Sequence, residues 1–313
     1  QIIYNFTSNL IIINNNYMQI FDCFMYYNED VILDVRLNYL NQFVDKFIIV
    51  ESTFNHKGQK KKLNFNINYF SKFKDKIEYL VSDKQPTNIE EINDKDTDKE
   101  KSRKYILNGY RRDNFQRNYI SNGIGEVNND DLIIISDIDE IPNLRKININ
   151  EIKDNLVFFN QRMCYYKFNL FQKNYNWVGS RACKKKNLMS PQWLRDIKPK
   201  IYPKWRVDTF FSTLKYTNII FVDNGGWHFS YLNTPELIEQ KLQSYTHHRE
   251  YDLNPIGIKN IERRIKDRES VYNLSSDKRE NQFSKGVKLE IMNLNKLPKY
   301  IAENKTKYNK WLA

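Results

Sequence analysis

The chain has 313 residues, 40% of them hydrophobic, with 21 Tyr and 19 Phe, which supports one large or two small domains with a real core. Its formal net charge of +12 admits nucleic acid, an anionic membrane surface or an anionic substrate as partner. The cysteines, Cys23, Cys164 and Cys183, are odd in number and far apart, which argues against a disulfide framework or a zinc site and fits a reducing compartment.

Residues 1–17 read as an N-terminal extension, because Met18 opens the first convincing strand. Residues 18–313 read as a single domain. A buried strand over 19–24 leads to a helix start at Asn28-Glu29-Asp30, with Leu33, Leu37 and Leu40 at helical spacing. Residues 47–50 form a second apolar strand that ends in Glu51-Ser52. A short helix over 65–73 and a third strand over 77–81 follow. Residues 85–102, rich in Asp, Glu and Lys, predict an exposed, partly disordered insertion. Residues 103–122 predict a helix with Ile106, Tyr110 and Arg117 near one face, and 131–136 a fourth strand.

Strand and helix thus alternate as in an α/β sheet with parallel strands. Ligands of such sheets bind at the carboxyl ends of the strands, where Glu51 and the triplet Asp137-Ile138-Asp139 both lie. Beyond the triplet the pattern changes. Residues 157–171 alternate as β structure, 176–181 read as a turn, and 218–222 as a strand before Gly225-Gly226. Thr234-Pro235-Glu236 starts a helix with Pro at its first position. Residues 258–268 form an amphipathic helix within a helical tail over 250–313. No run reaches the ~18–20 apolar residues of a transmembrane helix, so the expectation is a cytoplasmic protein whose membrane contact, if any, is peripheral.

The triplet carries the clearest chemistry. Alternate residues of an extended segment face one side, so Asp137 and Asp139 can face one cation together. Mg²⁺ and Mn²⁺ take oxygen ligands from protein carboxylates and substrate phosphates. The bland alternative is a solvated acidic turn. Lys184, Lys185, Lys186, Arg195, Lys198, Lys200, Lys204 and Arg206, with Trp193, Tyr202 and Trp205 between them, form either a solvated surface or an electropositive rim. Such a rim would attract a sugar nucleotide or lipid phosphates.

Five motifs occur in order: Phe21-Asp22-Cys23-Phe24, Val50-Glu51-Ser52-Thr53-Phe54, Gln116-Arg117-Asn118, Ile135-Ser136-Asp137-Ile138-Asp139-Glu140-Ile141-Pro142 and Gly226-Trp227-His228-Phe229-Ser230. Together they resemble the family 17 glycosyltransferases, relatives of the β-1,4-mannosyl-glycoprotein 4-β-N-acetylglucosaminyltransferase. The resemblance implies a GT-A-type α/β fold, with a central mostly parallel sheet flanked by helices. It implies a nucleotide-sugar donor, UDP-GlcNAc, whose diphosphate is bridged by Mn²⁺ or Mg²⁺ on Asp137 and Asp139. It also implies a glycan or glycoconjugate acceptor and inversion by a single displacement, with a carboxylate as base.

Within that reading His228 is a further metal ligand, or else a buried His between Trp227 and Phe229. Glu51 accepts from the donor's base or ribose, or pairs with a nearby Lys. Arg117 meets the diphosphate, or makes a helix ion pair. Arg181 is a weaker phosphate or acceptor candidate. The base is Asp196, Asp208 or Glu140, with Asp223 also open. Trp177, Trp193 and Trp205 stack on sugar rings or serve the core, and His247 and His248 read as surface residues.

Two rivals remain at this level. A HAD-type phosphohydrolase also places DxD after an apolar strand, but it wants Thr or Val where this chain has Ile141, and its motif opens the domain. A nucleic-acid-binding protein would suit the charge, but no zinc finger, RNP-like strand or helix-turn-helix pattern is present, so nucleic acid is not expected as a partner.

Overall fold

The computed structural model describes residues 17–203, 205–245, 248–273, 283 and 285–313. The expected extension at 1–17 lies outside these, Tyr17 apart, as does His247. β1 (Ile20–Tyr26), β2 (Lys46–Ser52), β3 (Ile77–Ser82) and β4 (Leu132–Asp137) pair in parallel in the order β3-β2-β1-β4. Between them run α1 (Asp30–Leu40), a 3₁₀ turn over Ile67–Phe73 where a short helix was expected, and α2 (Asp98–Asn118). β1, β2 and β4 are almost continuously apolar because helices or loops cover both faces.

The insertion predicted at 85–102 is a shorter loop than expected. Thr97 and Glu100 form a reciprocal capping box, so α2 starts at Asp98 and absorbs the last part of the charged run. The rest is tied down. Glu90 pairs with Arg103 (2.7 Å) and Arg111 (3.1 Å), and Asp96 with Lys104 (2.7 Å).

After β4 come β5 (Glu140–Pro142), β6 (Leu156–Tyr165), β7 (Leu170–Lys184), α3 (Pro191–Asp196), β8 (Ile219–Val222) and β9 (Gly226–Ser230). The sheet continues β4-β7-β6-β9-β5, with β8 also on β6. β4–β7, β7–β6 and β9–β5 are antiparallel, whereas β6–β8 and β6–β9 are parallel. The fold is therefore the expected α/β architecture, but the pairing is uniformly parallel only in its first half and the sheet as a whole is mixed. The turn expected at 176–181 is instead part of β7, with a register shift against β6 between Val178 and Arg181. Gly179 serves close approach there, since a Cβ would come within 1.8 Å of Gln161 Oε1.

Only Ile138 and Asp139 separate β4 from β5, yet three strands lie between them in the sheet. So short a link spans about 10 Å. The sheet must curl until its last strand returns beside β4, and the Asp137–Glu140 turn closes that curl. Gly226 makes the closure possible at φ 137°, where a side chain would strike Ile141 O at 2.1 Å.

α4 (Pro235–Ser244), α5 (His248–Leu253) and α6 (Ile258–Lys266) cover an aromatic core of Tyr165, Tyr166, Tyr231, Tyr251 and Phe283. The expected helical tail also contributes β10 (Glu290–Ile291), antiparallel to β7. It ends in α7 (Lys299–Glu303) and α8 (Lys305–Tyr308). Tyr308 stacks edge-on against Phe168 at 5.5 Å, and its hydroxyl donates to Asp34 on α1.

Candidate active site

The turn that carries the triplet is held from beneath. Arg36 sits in the apolar stripe of α1 and is fully buried with Asp22 of β1. Its Nε and Nη2 meet Asp22 at 2.7 and 2.6 Å, and its Nη1 donates to the carbonyls of Asp137 (3.1 Å), Ile138 (3.0 Å) and Glu140 (2.7 Å). One guanidinium thus fixes the backbone of the whole turn, which leaves the carboxylates free to point the other way.

Asp137 lies between two arginines. Arg117, near the end of α2, reaches its Oδ1 at 3.1 Å, and Arg195 of α3 reaches its Oδ2 at 3.1 Å. Burial alone would raise the Asp137 pKa, but Arg195 and Arg117 outweigh it and hold the carboxyl well below the usual carboxylate range. Arg117 is also bound by Asp113 (2.8 Å) and donates to Gln192.

Glu140 is sealed. Its carboxylate accepts from Arg195 at 2.7 and 2.9 Å, from Trp177 Nε1 at 2.6 Å and from the Asp137 backbone N–H at 3.0 Å. With both oxygens engaged by the protein, it anchors Arg195 and the triplet instead of facing an acceptor.

Asp139 is buried on the other side of the turn. His228 comes from β9, directly opposite Glu140 in the β5–β9 register. Its Nε2 lies 3.4 Å from Asp139 Oδ1, and Lys241 of α4 places Nζ 3.7 Å from Oδ2 and 3.3 Å from Glu29. Burial opposes charge on His228, but Asp139, Glu140 and Asp137 raise its pKa above the ordinary value. Burial likewise opposes the Lys241 charge, and Glu29 and Asp139 more than restore it.

Among the described residues, no three His, Cys, Asp or Glu side chains converge closely enough to hold a metal by themselves. A Mg²⁺-type ion bound with substrate phosphates needs only one or two protein ligands. Asp139 and His228 suit such a site, as a carboxylate and an imidazole that face each other, with the His228 Nδ1 unpartnered. Asp137 suits it less, because arginines hold both of its oxygens.

The other expected residues scatter. Glu51 is buried, and its carboxylate accepts from Tyr79 (2.9 Å), the Asn64 and Phe65 N–H groups (2.8 and 3.0 Å) and Lys61. It therefore organises the loop after β2, as the Lys-pair alternative anticipated. Arg181 gives Nη1 to the carbonyls of Leu194, Arg195 and Ile197 and lies over the Phe158 ring at 4.5 Å. Through these contacts it stabilises the end of α3 from the buried side.

Asp196 is exposed at the end of α3 and accepts from Gln192 (2.8 Å), which in turn accepts from Arg117. Asp208 is tied to Arg206 and Lys215, both at 2.6 Å, within its own loop. Trp177 stands in the site, 5.2 Å from the His228 ring, whereas Trp193 packs on Tyr216 and Trp205 is exposed. His248, expected at the surface, is buried against Tyr105.

Sequence reasoning placed Arg195 only in a basic rim and missed Arg36 and Lys241. Two signals were present: Arg36 and Lys241 interrupt apolar helix stripes formed by Leu33, Leu37 and Leu40 and by Ile238 and Leu242. A charge at such a position implies a buried partner.

A curled α/β sheet carries, at the carboxyl end of β4, a carboxylate-bearing turn ringed by Arg117, Arg195, His228 and Lys241. The chain belongs to glycosyltransferase family 17, whose model matches residues 11–313, and it is a glycosyltransferase. No curated protein matches it. Among the described residues no helix is long and apolar enough to cross a membrane.

Proposed function

We propose that this glycosyltransferase moves a sugar, GlcNAc from UDP-GlcNAc, onto a hydroxyl of a glycan or glycoconjugate acceptor with inversion. The observation that carries the reading is the Asp137–Asp139 turn, fixed at the carboxyl end of β4 with Arg117, Arg195, Lys241 and His228 gathered around it. A nucleoside diphosphate gains charge as the glycosidic bond breaks, and preorganised cations lower the barrier where that charge develops. A Mn²⁺ or Mg²⁺ ion on Asp139 and His228, with Asp137 beside it, would supply Lewis-acid stabilisation of the same charge.

The chain's own groups do the rest. Arg195, clamped by Glu140, fixes Asp137. Lys241 and Arg117 present positive charge to the departing diphosphate. Trp177 offers a ring edge for the sugar. Asp196 takes the acceptor proton as the acceptor oxygen attacks the anomeric carbon and the bond to the diphosphate oxygen breaks. Asp196 suits this role better than the alternatives because it is exposed and joined to Arg117 through Gln192, whereas Glu140 is sealed and Asp208 is bound within its loop.

A thermal-shift screen with UDP-, GDP- and CDP-sugars, with and without Mn²⁺, tests the donor; stabilisation by UDP-GlcNAc above the others is expected. Asp139→Ala should lower UDP release by about 10²–10³-fold with an unchanged unfolding midpoint. His228→Ala should shift the Mn²⁺ titration to higher concentration. Full turnover in Asp139→Ala would sink the assignment.

A further inference from the structure

After α3 the chain makes a closed excursion. Lys198 N–H donates to Leu214 O at 2.9 Å and Trp193 Nε1 to Thr213 O at 2.8 Å, so the base of the loop is pinned. Its tip is apolar and open to solvent: Ile201 is 68% exposed, Trp205 81%, Val207 65%, Phe210 77% and Phe211 87%. A folded chain does not leave so many large apolar side chains together in water without a use for them.

The shoulders of the same loop are cationic. Lys198, Lys200, Arg206 and Lys215 stand against Asp208, which Arg206 and Lys215 already neutralise. Arg206 and Lys200 also lie over the Tyr202 ring at 5.4 and 5.7 Å.

We propose that the loop over 198–215 docks on an anionic lipid bilayer, with Trp205, Phe210 and Phe211 in the headgroup–acyl boundary and the Lys/Arg shoulder on lipid phosphates. The charge sign selects an anionic surface, and Trp and Phe flanked by Lys and Arg suit the boundary between water and hydrocarbon. Exposure favours a bilayer over a protein: a short turn, Val207–Thr209, is followed by Phe210 and Phe211, both open to solvent, and lipid receives such side chains without a matching groove. The inference goes beyond the transferase reading and does not depend on it.

Flotation with vesicles of phosphatidylcholine alone and of phosphatidylcholine mixed with phosphatidylglycerol tests the proposal without any nucleotide sugar, so its failure leaves the transferase reading standing. The chain should favour the anionic vesicles by about tenfold or more. The triple variant Trp205→Ser, Phe210→Ser, Phe211→Ser should lose that binding by about tenfold or more, with its unfolding midpoint and its UDP-sugar turnover unchanged. Equal binding by the triple variant reports net charge alone and overturns the proposal. So does the absence of vesicle binding, a wild-type dimer that the variant turns monomeric, or a variant that binds vesicles normally but loses transfer to a soluble acceptor.

Discussion

Arg36 and Arg195 both reach the Asp137–Glu140 turn, from opposite sides and onto different atoms. Arg36 is sealed, paired with one buried carboxylate, and spends its remaining donors on three backbone carbonyls. Arg195 holds Glu140 and also Asp137, a carboxylate whose side chain is 37% exposed. The first fixes where the turn is. The second fixes how one solvent-facing side chain of the turn is held. A buried arginine on neutral carbonyls belongs to the scaffold, while one on a carboxylate that still sees solvent belongs to the site.

The comparison predicts a graded series. Arg36→Met should be the most damaging, at about 3–5 kcal/mol in urea unfolding, because it strands Asp22 without a partner. Adding Asp22→Leu should recover part of that stability but not turnover, since the carbonyls of the turn stay unheld; full recovery of both would break the distinction. Arg195→Gln should lower turnover about 10–100-fold, as loss of a group that holds a site carboxylate in place does, for about 1–3 kcal/mol of stability. Arg195→Lys should rescue little, because an ammonium cannot bridge two carboxylates as a planar fork does.

Arg181→Met sharpens the series from the scaffold side. It should lose about 1–3 kcal/mol while turnover per folded molecule stays near normal. A turnover loss as large as that of Arg195→Gln would move Arg181 into the site.

The smallest effect concerns two buried histidines with opposite shifts. Carboxylates raise the pKa of His228. Burial lowers that of His248, with Asp252 at 3.2 Å only partly opposing it and Lys57 and Arg249 adding to the depression. The unfolded chain therefore takes up a proton that folded His248 resists, so stability falls as pH drops through about 6.5. His248→Gln should flatten the fall of the unfolding midpoint between about pH 8 and about pH 5. An unchanged slope would show that other groups set it.

The legible part of the molecule was its first half. Apolar runs punctuated by helix caps give β1 to β4 almost residue by residue, and a carboxylate at a strand's carboxyl end is a local signal. The second half resisted because its decisive contacts are not local. Arg195 is on a six-residue helix that Ser190 and Pro191 announce, but no spacing rule ties it to residue 137. Gly179-Ser180 look like a turn, although they sit at an irregularity inside β7 where the Gln161 side chain comes close. Glu51 shows the converse: its position at a strand end is a local signal, and its partners come from a loop that only tertiary structure folds back on it.

Tyr308 lies 274 residues from Asp34, yet its hydroxyl rests on it, and Lys307 pairs with the same carboxylate. Contacts so distant in sequence slow folding, because a long loop must close before they form. On a ribosome the outer side of α1 must wait, bare, until the residues around Tyr308 have been synthesised. The parallel strands around Asp137 can assemble early, but the finished domain is a late event, and the interval between the two is when a nascent chain of this protein is most exposed to misassembly.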